Sequence, residues 1–277
     1  MKLKIALPAP QQTIRLINFQ NSFNIMPTDK KSIQEYNKNY KEWLEKKGLG
    51  HSHLEKPAMY SALGSVRGKT ILCLGCGAGE ECAHIKNLGA KRVVGVDISK
   101  SLIDTAKANF PDIEFQVMYI EKLKLAQSSF DLVYSSLVLH YVKDWIKVLS
   151  EVRKVLKKNG IFLFSTHDPI YWSAFKKENE NEKLQILGYK KDKKTKKIEV
   201  YGDYLNVRKI NDIWFDNFKV TYYHKPFSSI IKDILKSKFK IVDCIEPRPL
   251  DSTKRIDLEF WKKGSKLPLF VIFKLQK

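Results

Sequence analysis

From residue 70 onwards the apolar positions switch repeatedly between two periods. A short apolar run at 70–74 opens into Gly75-Cys76-Gly77-Ala78-Gly79, and residues 80–88 then follow at helical spacing. Residues 92–96 form a β-branched strand closed by Asp97, 101–109 are helical, and 113–118 and 130–135 are strands. Residues 145–156 form a helix with Asn159-Gly160 as its stop, followed by a fifth strand at 161–165. A helix at 227–236 and strands at 240–245 and 269–275 complete the pattern. Strands that alternate with helices predict an α/β protein built on a parallel, doubly wound sheet.

Two regions stand outside this rhythm. Residues 1–28 hold Pro8, Pro10 and Pro27 without a period and read as an extended arm. Between 32 and 47, Ile33, Tyr36, Tyr40, Trp43 and Leu44 fall at helical spacing up to Gly48, and 55–63 reads as a second short helix with Pro57 in its first turn. Residues 168–225 are rich in aromatics and lysines and far exceed an ordinary connection, so they are expected to carry structure and a function of their own. The domain organisation expected is therefore an arm at 1–28 and one domain at 29–277, with 168–225 as an insertion after the fifth strand.

Composition narrows the class. With 43% hydrophobic residues, the 277-residue chain can bury a sizeable core, which excludes general disorder. No apolar run reaches the ~20 residues of a membrane span, and Pro8 interrupts the N-terminal segment before a signal-type apolar stretch forms. Four cysteines, three of them between 73 and 82, suit a reducing compartment better than a disulfide scaffold, and a cytoplasmic protein is expected. Cys73 and Cys76 have a metal-like gap but no second ligand pair, so no metal is expected. The net charge of +20 is concentrated in residues 151–277, which hold 29 basic against 16 acidic residues, with the densest run at 190–197. Only 7 of the 50 basic residues are arginine, so the charge reads as a solvated lysine face more readily than as specific nucleic-acid recognition. Nothing in the pattern specifies an oligomeric state.

The chemistry concentrates at 70–80. A strand, a glycine loop and a helix start let the backbone approach a ligand, and Asp97 ends the next strand, where a carboxylate can receive both hydroxyls of a ribose. A dinucleotide site would place glycine at position 80, where this chain has Glu80. A ribose-bearing ligand without a pyrophosphate fits better.

These segments, together with Val93-Val94-Gly95-Val96-Asp97-Ile98-Ser99 and Ser129-Phe130-Asp131-Leu132-Val133-Tyr134-Ser135-Ser136, resemble the class I S-adenosylmethionine-dependent methyltransferases, in particular the broad bacterial small-molecule group. Glu55-Lys56-Pro57-Ala58-Met59, Leu139-His140-Tyr141 and a late Glu246-Pro247 add to the resemblance, which runs from about Ile33 to the C-terminus. It implies a Rossmann-like sheet of seven strands, mostly parallel with an antiparallel last strand. It implies S-adenosyl-L-methionine as cofactor and S-adenosyl-L-homocysteine as product. Gly75, Cys76, Gly77 and Gly79 would then lie along the methionine and ribose, Asp97 would hold the ribose, and Ile98 would pack on the adenine. Ile120 and Glu121 would flank the adenine edge, and Ser135 and Leu137 would border the methionine end. The family commonly has aspartate at the positions of Cys73 and Tyr119, so this chain departs from it at both.

For the acceptor, His140 is the candidate general base just beyond the fourth strand, with packing as the alternative role. His167 lies within reach of the same opening, and Tyr36 and Tyr40 are candidate lid residues. His51 and His53 read as an exposed loop. The function expected is methyl transfer to a small-molecule acceptor. The alternatives are a tRNA or protein methyltransferase using the lysine-rich face, and a cofactor-binding protein without catalysis.

Overall fold

The computed structural model describes residues 48–172, 189–200, 204–214 and 218–277. The expected arm at 1–28, Tyr36, Tyr40, Trp43 and part of the insertion lie outside these residues. The described chain starts with a π-helical turn, His51–Glu55, which runs into α1 (Lys56–Leu63). The alternation then follows as β1 (Thr70–Leu74), α2 (Glu80–Asn87), β2 (Arg92–Asp97), α3 (Lys100–Asn109), β3 (Glu114–Val117) and β4 (Phe130–Ser135). After a 3-10 turn at Leu139–Tyr141 come α4 (Trp145–Val155), β5 (Leu156–His167) and the short α5 (Pro169–Trp172). Among its described residues the insertion holds two hairpins, β6 (Tyr189–Lys191) with β7 (Ile198–Val200), and β8 (Arg208–Trp214) with β9 (Phe218–His224). The chain closes with α6 (Phe227–Lys236), β10 (Lys240–Ile245), α7 (Leu258–Gly264) and β11 (Phe270–Gln276).

The main sheet has seven strands in the order β10-β11-β5-β4-β1-β2-β3. β11 runs antiparallel to both its neighbours, whereas the β4, β5, β1, β2 and β3 pairings are parallel. The two-residue period of the strands decides which layer each side chain joins. Leu72, Leu74, Val94, Val96, Phe162 and Phe164 enter a core with α4 and α6. Ile71, Cys73, Val93, Leu132, Tyr134 and Leu163 enter the opposite core with α1, α2 and α3. β1 and β4 are neighbours from which the chain winds in opposite directions, so the ligand crevice of an open α/β sheet falls at their C-terminal ends.

One boundary departs from the sequence pattern. Asn159-Gly160 does not stop the helix: α4 ends at Val155, and β5 runs unbroken through both residues. Asn159 takes φ +63°, and the register between β4 and β5 shifts between Phe130 and Leu132. A Cβ on Gly160 would meet the Lys157 carbonyl oxygen at 2.9 Å. The turn signal therefore marks an irregularity within the strand, where pairing with β4 overrides the local breaker.

Candidate active site

The loop between β1 and α2 holds Gly75, Gly77 and Gly79 at φ +63°, +53° and +90°, a region that L side chains rarely adopt. The structure adds a second reason for two of them. A Cβ on Gly75 would lie 2.3 Å from Val138 Cγ2, and one on Gly79 would lie 2.7 Å from Phe115 Cζ. Their smallness thus serves packing within the chain, beyond the ligand approach read from the spacing. Cys76 turns its side chain inward: its backbone N–H donates to the Val96 carbonyl, and its thiol is raised well above the ordinary range by Cys82 and by burial. Its carbonyl accepts the Gly79 N–H at 3.0 Å, so both its backbone groups serve the loop's own bonds. Cys73, Cys76 and Cys82 are all free and buried.

Asp97 is 9% exposed at the end of β2. Its Oδ2 accepts from the Gly77 N–H at 3.0 Å and its Oδ1 from the Ser99 N–H at 2.8 Å, which ties the glycine loop to β2. Burial raises its pKa, opposed by these backbone donors. A carboxylate offers about four lone-pair sites, so Asp97 keeps capacity for a further donor such as a ribose hydroxyl. Beyond β3, Ile120 is buried, and Glu121 carries a buried Oε1 with no partner among the described residues. Ile98 is half-buried and Tyr119 is exposed, at 37%. An anchored carboxylate, an unpartnered carboxylate oxygen and two aliphatic side chains together fit a nucleoside, so the residues present suit S-adenosylmethionine. Ser135 is fully buried and donates to the Leu74 carbonyl, bridging β4 and β1; its hydroxyl is spent on the sheet.

The acceptor side is organised by ring stacking. The Trp145 indole N–H donates to the Leu139 carbonyl at 2.9 Å and fixes the 3-10 turn that carries His140. His140 lies on His167 with ring centroids 3.6 Å apart, and His167 lies on Trp172 at 3.8 Å, both pairs within 6° of parallel. Tyr222 of β9 meets His167 edge-on at 5.0 Å. These four residues line a small cleft with Tyr223 and Thr166. Burial lowers the His140 pKa to about 3, and burial followed by the neighbouring His140 lowers that of His167 well below its ordinary value. Neither ring nitrogen of His140 has a partner among the described residues. His140 is therefore brought to the expected place, but as a neutral imidazole. Burial without a charged partner is the cause, so the ring can accept a hydrogen bond but holds a proton weakly. On the other side of His167, Asp168 is fully buried and its pKa is raised to about 6, mainly by burial.

The sequence pattern missed a polar cluster beside the switch point. His51 is buried, against the expectation of an exposed loop. Its Nδ1 donates to Glu55 Oε2 at 2.9 Å, and its Nε2 faces Glu81 at 3.6 Å. Burial opposes its charge, but the two carboxylates outweigh it and raise its pKa to about 9. Lys56 joins Glu81 at 3.1 Å. Glu55 also receives the hydroxyls of Ser136 and Ser165, which stand 81 and 110 residues away in the chain. The i, i+4 spacing of His51 and Glu55 was the local signal available.

Residues 72–164 match the model of a methyltransferase domain. An uncharacterised protein of Haemophilus influenzae is 32% identical over 210 residues, which span 72% of this chain and 78% of the relative. A probable S-adenosylmethionine-dependent methyltransferase of Mycolicibacterium smegmatis is 30% identical over 106 residues, 38% of this chain and 41% of the relative. The crystal structure of an S-adenosylmethionine-dependent methyltransferase from Mesorhizobium loti superposes with a TM-score of 0.66 at 29% identity, covering 80% of this chain and 97% of that one.

Proposed function

The chain belongs to the class I S-adenosylmethionine-dependent methyltransferases, and from that premise we propose that it methylates a small-molecule acceptor by in-line displacement. The observation that carries the proposal is the cleft around His140, His167, Trp172 and Tyr222, in which Trp172 is half-buried, the other three rings are buried, and burial holds both imidazoles below their ordinary pKa. Among the described residues that line it the one lysine, Lys225, is paired with Asp233 at 2.8 Å. Such a wall suits a compact, uncharged acceptor rather than a polyanion.

In this reading Asp97 holds the ribose hydroxyls while its bonds to Gly77 and Ser99 keep the glycine loop in place. Glu121, Ile120 and Ile98 receive the adenine, and Leu137 borders the methionine end. S-adenosylmethionine supplies a methyl group already activated on a sulfonium, so the protein's part is alignment and exclusion of water. His140, kept neutral by burial, accepts a hydrogen bond from the acceptor's O–H or N–H and orients the nucleophile, whose proton is released to solvent once the methyl group has been transferred. Trp172 and Tyr222 close the cleft from the insertion, in keeping with one domain at 29–277 with 168–225 as its roof. A cytoplasmic location fits four free thiols; among the described residues no helix is long and apolar enough to cross a membrane.

A second reading, a tRNA or protein acceptor, draws on the β6–β7 hairpin. Its turn is held by Asp192, whose carboxylate accepts the N–H groups of Lys194 and Thr195 and whose flanking lysines are exposed. A screen of small hydroxyl and amine acceptors beside bulk tRNA, at low and high salt, separates the two. Turnover of a small acceptor that ignores salt and falls in His140→Ala supports the proposal. Turnover only on RNA, lost steeply with salt, contradicts it.

A further inference from the structure

A carboxylate that is fully removed from water is costly unless its oxygens are engaged. Glu55 is fully buried, and both oxygens are used: Oε2 by His51, Oε1 by the hydroxyls of Ser136 and Ser165. The chain of contacts continues. The Ser165 oxygen accepts the Leu137 N–H at 2.9 Å. Leu137 stands at φ +54°, a left-handed conformation that is unfavourable for a non-glycine residue and persists only where its surroundings hold it.

The three residues that follow the core of β4 are thus each tied to a different element. Ser135 is bonded to Leu74 of β1, Ser136 to Glu55 at the head of α1, and Leu137 to Ser165 of β5. They lie at the C-terminal ends of β1 and β4, where the sheet reverses its winding and a ligand enters. Glu55 connects the segment before α1 to this turn, with the His51 imidazolium balancing its charge and Glu81 and Lys56 forming a further pair behind it.

We propose that Glu55 is a positioning residue for methyl transfer: through Ser136 and Ser165 it holds the 135–137 turn in the left-handed shape that walls the cofactor crevice. The inference rests on the proposed placement of Leu137 at the methionine end. Glu55 acts through its two serine partners and not on the cofactor itself.

The test is calorimetric titration with S-adenosylhomocysteine of the full chain and four variants, each with a melting curve. Glu55→Ala removes every bond of the carboxylate, and Ser165→Ala removes the acceptor of the Leu137 N–H. Each is expected to weaken binding about tenfold or more, the scale of one lost hydrogen bond to a buried group. Glu55→Gln keeps an oxygen for both hydroxyls, and its amide N–H can donate to His51 once that ring is neutral with Nδ1 unprotonated, so affinity is expected to stay within about threefold of wild type. Met59→Ala, a core truncation in α1, lowers the melting temperature and is expected to leave affinity within about twofold. Where Glu55→Ala fails to fold, Ser165→Ala decides the outcome. Folded Ser165→Ala with wild-type affinity overturns the proposal, as does Met59→Ala losing affinity in step with its stability. A wild-type protein that binds no S-adenosylhomocysteine overturns the cofactor site itself, a failure visible without any variant.

Discussion

His140, just past the end of β4, and His167, the last residue of the neighbouring parallel strand β5, lie face to face with ring centroids 3.6 Å apart and planes 6° from parallel. Burial keeps both neutral, His140 with a pKa near 3. The unfolded chain binds protons below about pH 6.5, where the folded chain does not. The stability these two histidines contribute is therefore complete above about 6.5 and is lost as pH falls towards 3. His140→Phe should flatten this acid slope by about 1.4 kcal/mol per pH unit between 5 and 6. Asp168, raised to about 6, acts in the opposite sense between its unfolded value and 6, so the test is the difference between variant and wild type in urea denaturation. Equal slopes would mean that His140 is not buried neutral.

The glycine loop separates two costs that are usually merged. Gly75→Ala meets both a positive φ and the Val138 methyls, and should lose about 1–3 kcal/mol or more in urea denaturation. Adding Val138→Ala should recover the steric part alone. Gly68, at φ +74° with nothing within 4 Å of a Cβ, serves as the control and should lose only about 1 kcal/mol on substitution by alanine. Equal losses at 68 and 75 would contradict the packing role of Gly75.

Thiol reactivity checks the placement of the cysteines. Cys244 is exposed, whereas Cys73, Cys76 and Cys82 are buried and the Cys76 and Cys82 thiols are raised well above their ordinary range. Burial and the neighbouring Glu246, Asp168 and Asp243 also raise the Cys244 thiol, so titration of the native protein with a disulfide reagent should modify Cys244 first but slowly, and the other three only on unfolding. Rapid native modification of Cys76 would contradict its inward orientation.

The lysine hairpin bears on the acceptor. Replacing Lys193, Lys194, Lys196 and Lys197 by serine leaves the Asp192 turn intact, since its donors are backbone groups. Stability should change by less than about 0.5 kcal/mol, as expected of exposed positions. Turnover of a small acceptor should be unchanged. A steep loss would move the function towards the polyanion reading.

The elements were legible where local pattern and tertiary contacts agree. Ile71 and Cys73 against Leu72 and Leu74 alternate between the two cores as the strand period requires, and the helix expected at 227–236 has those bounds. Asn159-Gly160 misled because strand pairing outweighs a local turn signal. His51 was misread because the partners that bury its cluster come from β4 and β5, far along the chain. Asp97 and the glycine loop were legible because their geometry follows from the chain order of one β-loop-α-β unit. The depressed pKa of His140 was not, since it depends on enclosure by Trp172, His167 and Tyr222, whose approach no local pattern encodes.

The most direct test of the account is calorimetric titration of wild type and Asp97→Ala with S-adenosylmethionine, S-adenosylhomocysteine and NAD⁺. The account predicts micromolar binding of both sulfur ligands by wild type, no binding of NAD⁺, and a loss of about 100-fold in the variant, the scale of two charge-assisted hydrogen bonds. Binding of NAD⁺, or sulfur-ligand affinity that survives in Asp97→Ala, would contradict it.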